Sequence, residues 1–259
     1  MFRSVHDRTD DRRAARGCSM NRVHRGFSLV ELLVVIGVLG VLLAVVIPVL
    51  RSARGGTEES VSMARCRECV TMLQAQPSST ERFPMGKLGG PLHNPLGPTA
   101  WVELSNGDAL YFPWFAHASS WNWVVVSLGE PVSEAWISPS RRGDVLGPMD
   151  SDYRLTHAVM AARSHWSRSG EQSPSMWGGQ LMAGVARPAL KVLVWESGEA
   201  LRGRVTGESG FGVARPLGFA DGHVENRNLL DARPGVYNRF IDYSAPLLTT
   251  EHGTAGWDF

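Results

Sequence analysis

The sequence is short of cysteine: Cys18, Cys66 and Cys69 are all it has. A single Cys-x-x-C, with no second pair and no histidines at ligand spacing, does not build a zinc site, and no β-α-β pattern surrounds it to make a redox centre. On a helix Cys66 and Cys69 share one face at i and i+3. That placement suits packing or, in an oxidising compartment, a bond to another chain. Catalytic signatures are missing as well: Gly-x-Ser-x-Gly, His-Glu-x-x-His and the phosphate-binding glycine loop do not occur. His157, His165, Glu196, Asp221 and His223 are the side chains able to do chemistry, yet none stands at a recognised catalytic or metal-binding spacing. An excess of one charge is also absent, with 26 basic against 25 acidic residues. No basic surface follows from that balance, so nucleic acid is not an expected partner. The chain does not read as an enzyme.

What is present is concentrated near the N-terminus. Gly26-Phe27-Ser28-Leu29-Val30-Glu31 leads into nineteen uncharged residues, Leu32 to Leu50. At about 1.5 Å per residue these span roughly 28 Å as a helix, close to the hydrocarbon thickness of a bilayer. A secretory signal has a shorter apolar core, and its small-x-small cleavage site comes after that core. The first 26 residues carry seven arginines against three aspartates, a bias that keeps the N-terminus in the cytoplasm and sends the remainder outward. Arg51 and Arg54 beyond the run weaken the bias without reversing it. Glu31 is the exception inside an apolar helix. A charge there costs about 2.5–3.5 kcal/mol on insertion scales, which calls for a partner or for snorkelling to the interface.

This N-terminus resembles the processing and assembly signal of type IV prepilins and type II secretion pseudopilins: a basic leader ending in Gly26, then Phe27, then a glutamate four residues on. The resemblance implies that a prepilin peptidase/methyltransferase cuts between Gly26 and Phe27 and methylates the new Phe27 amine. It also implies that Glu31 is neutralised by that amine on a neighbouring pilin-like subunit, setting the stagger of a homo- or hetero-filament. Met20 to Gly26 would by itself make a complete short leader, so translation from Met20 reads as well as translation from Met1. The implied organisation is a leader (1–26), a transmembrane helix (27–50), an amphipathic stalk helix (51–76) and a globular head (77–259). The fold class is α+β, a long helix packed on an antiparallel-sheet head. The protein would sit in the bacterial inner membrane with one span and the head in the periplasm. The function expected is that of a pseudopilin or pilin-like filament subunit in protein secretion. The rival from another class is a membrane-tethered binding protein for an envelope glycan or protein, using the same helix as an anchor.

Without the leader, 19 basic and 22 acidic residues remain, near minus three. Roughly two hundred residues follow the apolar run, enough for one domain with a real core. All nine tryptophans lie there, from Trp101 to Trp257. Packing is their expected use, since no carbohydrate-stacking motif accompanies them. Helix is expected on to Gln76, interrupted by Pro48 and Gly55-Gly56 and stopped by Pro77. Phe27 to Gln76 would then make roughly 75 Å of helix. Residues 81–98 read as loop. Asn106-Gly107 signals a hairpin between Trp101–Leu104 and Ala109–Phe112. Ser119 or Ser120 would cap a short helix carrying Trp121, Val124, Val125 and Leu128 and ending at Gly129 and Pro131. Lys191–Glu196 reads as a buried strand. A last hairpin turns at Asp221-Gly222; a two-residue turn there sets Ala220 against His223 and Phe219 against Val224, with Phe219 and Val224 on one face.

Phe219-Ala220-Asp221-Gly222-His223-Val224 resembles the C-terminal signature of prepilin-like proteins of planctomycete-type bacteria, whose histidine ten residues before Asp-Gly is replaced here by Phe211. Ala64-Arg65-Cys66 resembles that family's helix continuation. Ser138-Pro139-Ser140 with Ser151-Asp152-Tyr153 resembles its central loop, where many relatives have a cysteine at the place of Ser138; no disulfide is expected there. Asp221 and Gly222 have a sufficient structural reason in the turn. The expectation is that no cofactor is needed. Calcium, which some pseudopilins bind, is the one alternative, at Asp221 or the acidic C-terminal residues.

Overall fold

A computed structural model describes residues 27–76, 81–89, 98–139, 141, 151–197, 214–242 and 244–259. Packing divides the chain after Arg51, into residues 1–51 and 52–259. Helix α1 (Leu29–Ala75) contains Pro48 and ends where Pro77 approaches. After Glu31 its N-terminal part is uncharged to Leu50, exposed, and long enough to cross a membrane.

From Ser52 onward the chain is an α+β head. Strands β1 (Lys87–Leu88), β2 (Thr99–Glu103) and β3 (Ala109–Pro113) form a three-stranded antiparallel sheet in that order. Strands β4 (Tyr153–Leu155), β5 (Val192–Glu196), β6 (Ala214–Phe219) and β7 (Val224–Asn228) form a second, also antiparallel and ordered β4-β5-β6-β7. Helix α2 (His117–Ser127) lies between the two sheets in sequence. β5 is buried at every residue, as expected of its apolar run.

The C-terminal part of α1 packs on the second sheet along one stripe: Ser62, Cys66, Cys69, Val70 and Leu73. The spacing of four, three, one and three residues is one helical face. The registers align Leu155, Val194, Gly218 and Val224 across the sheet on the face toward this stripe. Gly218 is the point of closest approach: a β-carbon there would lie 2.4 Å from Val70 Cγ2 and 3.2 Å from Cys66 Sγ. Polar contacts fix the slide of helix along sheet. The Tyr153 hydroxyl pairs with Ser62 Oγ at 2.9 Å, Arg65 Nη1 donates to Ile137 O at 2.6 Å, and Gln74 Nε2 donates to Ala220 O at 2.7 Å. Val61 and Ala64 face solvent while Leu73 is buried, so only part of the apolar pattern in the sequence lies in the packed stripe.

Six tryptophans (114, 121, 136, 166, 177 and 195) are buried in one core with the sheet residues, the packing role expected of them. The C-terminus is tied into that core. Lys191 is fully buried, with Nζ 3.2 Å from Asp258 Oδ2; that same oxygen accepts the Val192 N–H at 2.8 Å. Burial pushes the Lys191 ammonium below its usual range, and Asp258 opposes that shift.

Four expectations are corrected. Lys87–Leu88, inside the stretch read as loop, adds a strand to β2. Helix α2 begins at His117 after a 3₁₀ turn, with no side chain capping it; Ser120 instead carries a non-helical kink (φ −113°, ψ 16°). Its end is as expected: Gly129 has φ +105°, and Glu130 N–H bonds Val125 O in a Schellman closure. Both hairpins close with three residues, where two were expected at Asp221-Gly222. Phe219 N–H bonds His223 O and Gly222 N–H bonds Phe219 O; Leu104, Gly107 and Asp108 repeat the pattern. Phe219 is therefore opposite His223, stacked at 4.2 Å between ring centroids, while Val224 pairs with Gly218. Phe219 and Val224 lie on opposite faces. Only the last loop residue has positive φ, at Gly107 (+87°) and Gly222 (+92°), as a three-residue loop with a bulge requires.

Candidate processing and assembly site

Phe27 and Ser28 precede the helix, and Phe27 is 80% exposed. Ser28 is the N-cap. Its Oγ accepts the Val30 N–H at 3.2 Å, and its carbonyl accepts the Leu32 N–H at 3.2 Å. Glu31 turns back and takes the Ser28 N–H on Oε2 at 2.9 Å. The pair is a capping box, Ser-x-x-Glu, in which two of the helix's unsatisfied amides gain side-chain acceptors. A carboxylate in the first turn also meets the positive end of the helix dipole. Glu31 thus has a local reason to be tolerated in an apolar helix. The bond uses Oε2, and no hydrogen bond to Oε1 is seen among the described residues. The sequence signal for Ser28 was present in the Ser-x-x-Glu spacing, though Ser28 was not singled out. Gly26 lies outside the described residues, as do Cys18, Met20, Ser140 and Phe211.

The head's reactive side chains serve packing. His157 and His165 both contact the Phe115 ring, at 5.1 and 5.9 Å between centroids, within an aromatic cluster that includes Trp166 and Trp177. Burial lowers His157 to about 3 and His165 to about 4. His117, not read from the sequence as a site, is held likewise: Nδ1 donates to Trp114 O at 2.6 Å and Nε2 accepts the Gly86 N–H at 2.9 Å, the neutral form, with burial lowering it to about 4. Glu196 is buried and accepts from the Ser138 hydroxyl. Ser138 is thereby tied to the end of β5. Asp152 completes that lock, taking the Ser138 N–H at 2.7 Å and Arg141 Nη2 at 2.6 Å.

Asp221 and His223 are at the surface. Asp221 Oδ1 accepts the His223 backbone N–H at 3.1 Å and faces His223 Nδ1 at 2.5 Å. Slight burial works to raise the Asp221 carboxyl, but the His223 hydrogen bonds outweigh it and leave it below its usual range. Among the described residues no three His, Cys, Asp or Glu side chains cluster to hold a metal. Cys66 and Cys69 are free and buried, their thiols raised by burial and so protonated.

Compared with known families, residues 21–47 match the prokaryotic N-terminal methylation motif. No curated protein and no solved structure matches the chain, and the C-terminal resemblance finds no counterpart. The chain is prepilin-like at its N-terminus: the motif spans the leader's end, Phe27, the capping box and the apolar part of α1.

Proposed function

We propose that this chain is a pilin-like or pseudopilin subunit, made as a prepilin, cut between Gly26 and Phe27, methylated on Phe27 and polymerised through the apolar part of α1. One observation carries the reading. The matched motif coincides with a helix start that leaves Phe27 exposed ahead of the helix and Glu31 engaged to the Ser28 amide through one carboxylate oxygen. In the precursor the carboxylate is held by Ser28. After cleavage a neighbour's Phe27 ammonium is the natural second donor, a charge-assisted bond in a medium of low dielectric. The span would lie in the bacterial inner membrane with leader 1–26 cytoplasmic and head 77–259 periplasmic. Its partners would be the prepilin peptidase and other pilin-like subunits. Its work would be mechanical, in a type II secretion or pilus-like filament, without catalysis, cofactor or nucleic acid.

Mass spectrometry of the mature N-terminus tests this directly. The expected species begins at methylated Phe27, and Gly26→Leu should accumulate as an inserted, uncut precursor because the peptidase must close around the residue before the cut. Normal trimming of Gly26→Leu would refute the processing step.

A further inference from the structure

Trp257 carries two guanidinium groups: Arg187 at 3.8 Å and Arg233 at 4.3 Å from its ring centroid. Neither arginine has a carboxylate partner among the described residues. Stacking on an indole fixes the plane of a guanidinium and leaves its N–H edge for a planar oxyanion. Arg233 and Trp257 line a recess of about 180 Å³ that also contains Arg168 and His252. A second, wider groove of about 670 Å³ shares Arg168 and Pro234 with it and adds Arg239 and Tyr237. Gln172 braces this second wall, donating to Tyr237 O at 2.6 Å and accepting the Arg239 N–H at 2.8 Å. Tyr237 is 54% exposed, its hydroxyl held by Asp242, so its ring is presented to solvent on a fixed loop.

The geometry points to a binding track for an acidic saccharide, with uronate carboxylates on Arg233 and Arg239, which line the two recesses, and a sugar ring against Tyr237. Two recesses sharing a wall fit a chain of residues better than one small ion. An exposed aromatic ring suits the apolar face of a sugar. A phosphodiester strand is disfavoured because successive bases need several stacking platforms, whereas Trp257 already carries two guanidinium groups and Tyr237 is left as the exposed ring in the groove lining. This inference is independent of filament assembly.

The test is calorimetric titration of the full processed chain, in detergent, with a galacturonate hexamer, a neutral galactose hexamer and a single-stranded oligonucleotide. The uronate hexamer alone should bind, more weakly as salt rises. The double variant Arg233→Gln/Arg239→Gln gives up one cation–π contact at each site, so it should melt only about 2–8 °C lower while losing about tenfold or more in affinity. Arg239→Gln should weaken the hexamer more than a single galacturonate. The inference is overturned if the uronate hexamer does not bind, if the neutral hexamer binds as well, if the oligonucleotide binds more tightly, or if the double variant binds unchanged.

Discussion

Gly218→Ala probes the contact on which the helix-on-sheet packing depends. The new methyl would sit 2.4 Å from Val70 Cγ2, whereas carbon atoms settle at about 3.5–4.0 Å, so helix and sheet must part locally by roughly 1.1–1.6 Å. Overpacking of this kind costs about 1–3 kcal/mol, against which alanine recovers about 0.5–1 kcal/mol of strand entropy. The net of about 0–2.5 kcal/mol lowers the melting temperature of a domain of this size by up to about 10 °C. All nine tryptophans lie between residues 101 and 257, so their fluorescence in the detergent-solubilised chain follows the head without interference from the apolar helix. Val70→Ala alone removes two methyl groups and should cost about 1–2 kcal/mol. Combined with Gly218→Ala it vacates the colliding position, and the double variant should be more stable than the sum by about 1 kcal/mol or more. Strict additivity of the pair would refute the claim that Gly218 exists to admit Val70.

Glu31→Ala should insert and be cut normally while co-purifying less with tagged copies of itself; undiminished self-association would remove Glu31 from assembly. Gly222→Val should destabilise the head by about 1–2 kcal/mol from left-handed strain, in an otherwise open site, as thermal melting would show. If calcium raises the melting temperature of the wild type but not of Asp221→Ala, that turn is a ligand site rather than a structural one. Acid should destabilise the head through His117, His157 and His165. Their folded values of about 4, 3 and 4 lie below an unfolded value of about 6.5, so their stability is full above that pH and is lost as pH falls toward 4. His165→Phe, placed among Phe115, Trp177 and Phe240, should flatten melting temperature against pH between 6.5 and 4 by the share of one proton, at most about 1.4 kcal/mol per pH unit. An unchanged slope in that variant would show that His165 does not titrate on unfolding.

The apolar helix, the β5 strand and both hairpins were legible because each rests on local chemistry: a long uncharged run, a buried β-branched run, an Asn-Gly and an Asp-Gly. Loop length was not legible. Asn106 and Asp221 each accept the amide two residues on, at 3.0 and 3.1 Å, which stabilises a three-residue loop needing positive φ only at glycine. Strand β1 was missed because two residues flanked by Gly86 and Gly89 carry no alternation. The stripe on α1 was hidden by its composition, since serine and cysteine make its centre while Val61 lies outside it. Of the proposed assembly site, Phe27 and Glu31 were readable from spacing. The Ser28 cap, a local hydrogen-bond pattern, went unread.

The buried pairing of Lys191 with Asp258 imposes an order on folding. The two residues stand 67 positions apart, and a chain leaving the ribosome presents the lysine first. Until the aspartate arrives, β5 can enter the sheet only by burying an unpaired ammonium or stripping its proton, and both are costly. The central strand therefore stays unlocked through most of synthesis. Under the proposed topology, in which the head crosses the membrane as an unfolded thread, that delay is a built-in brake against closing too soon.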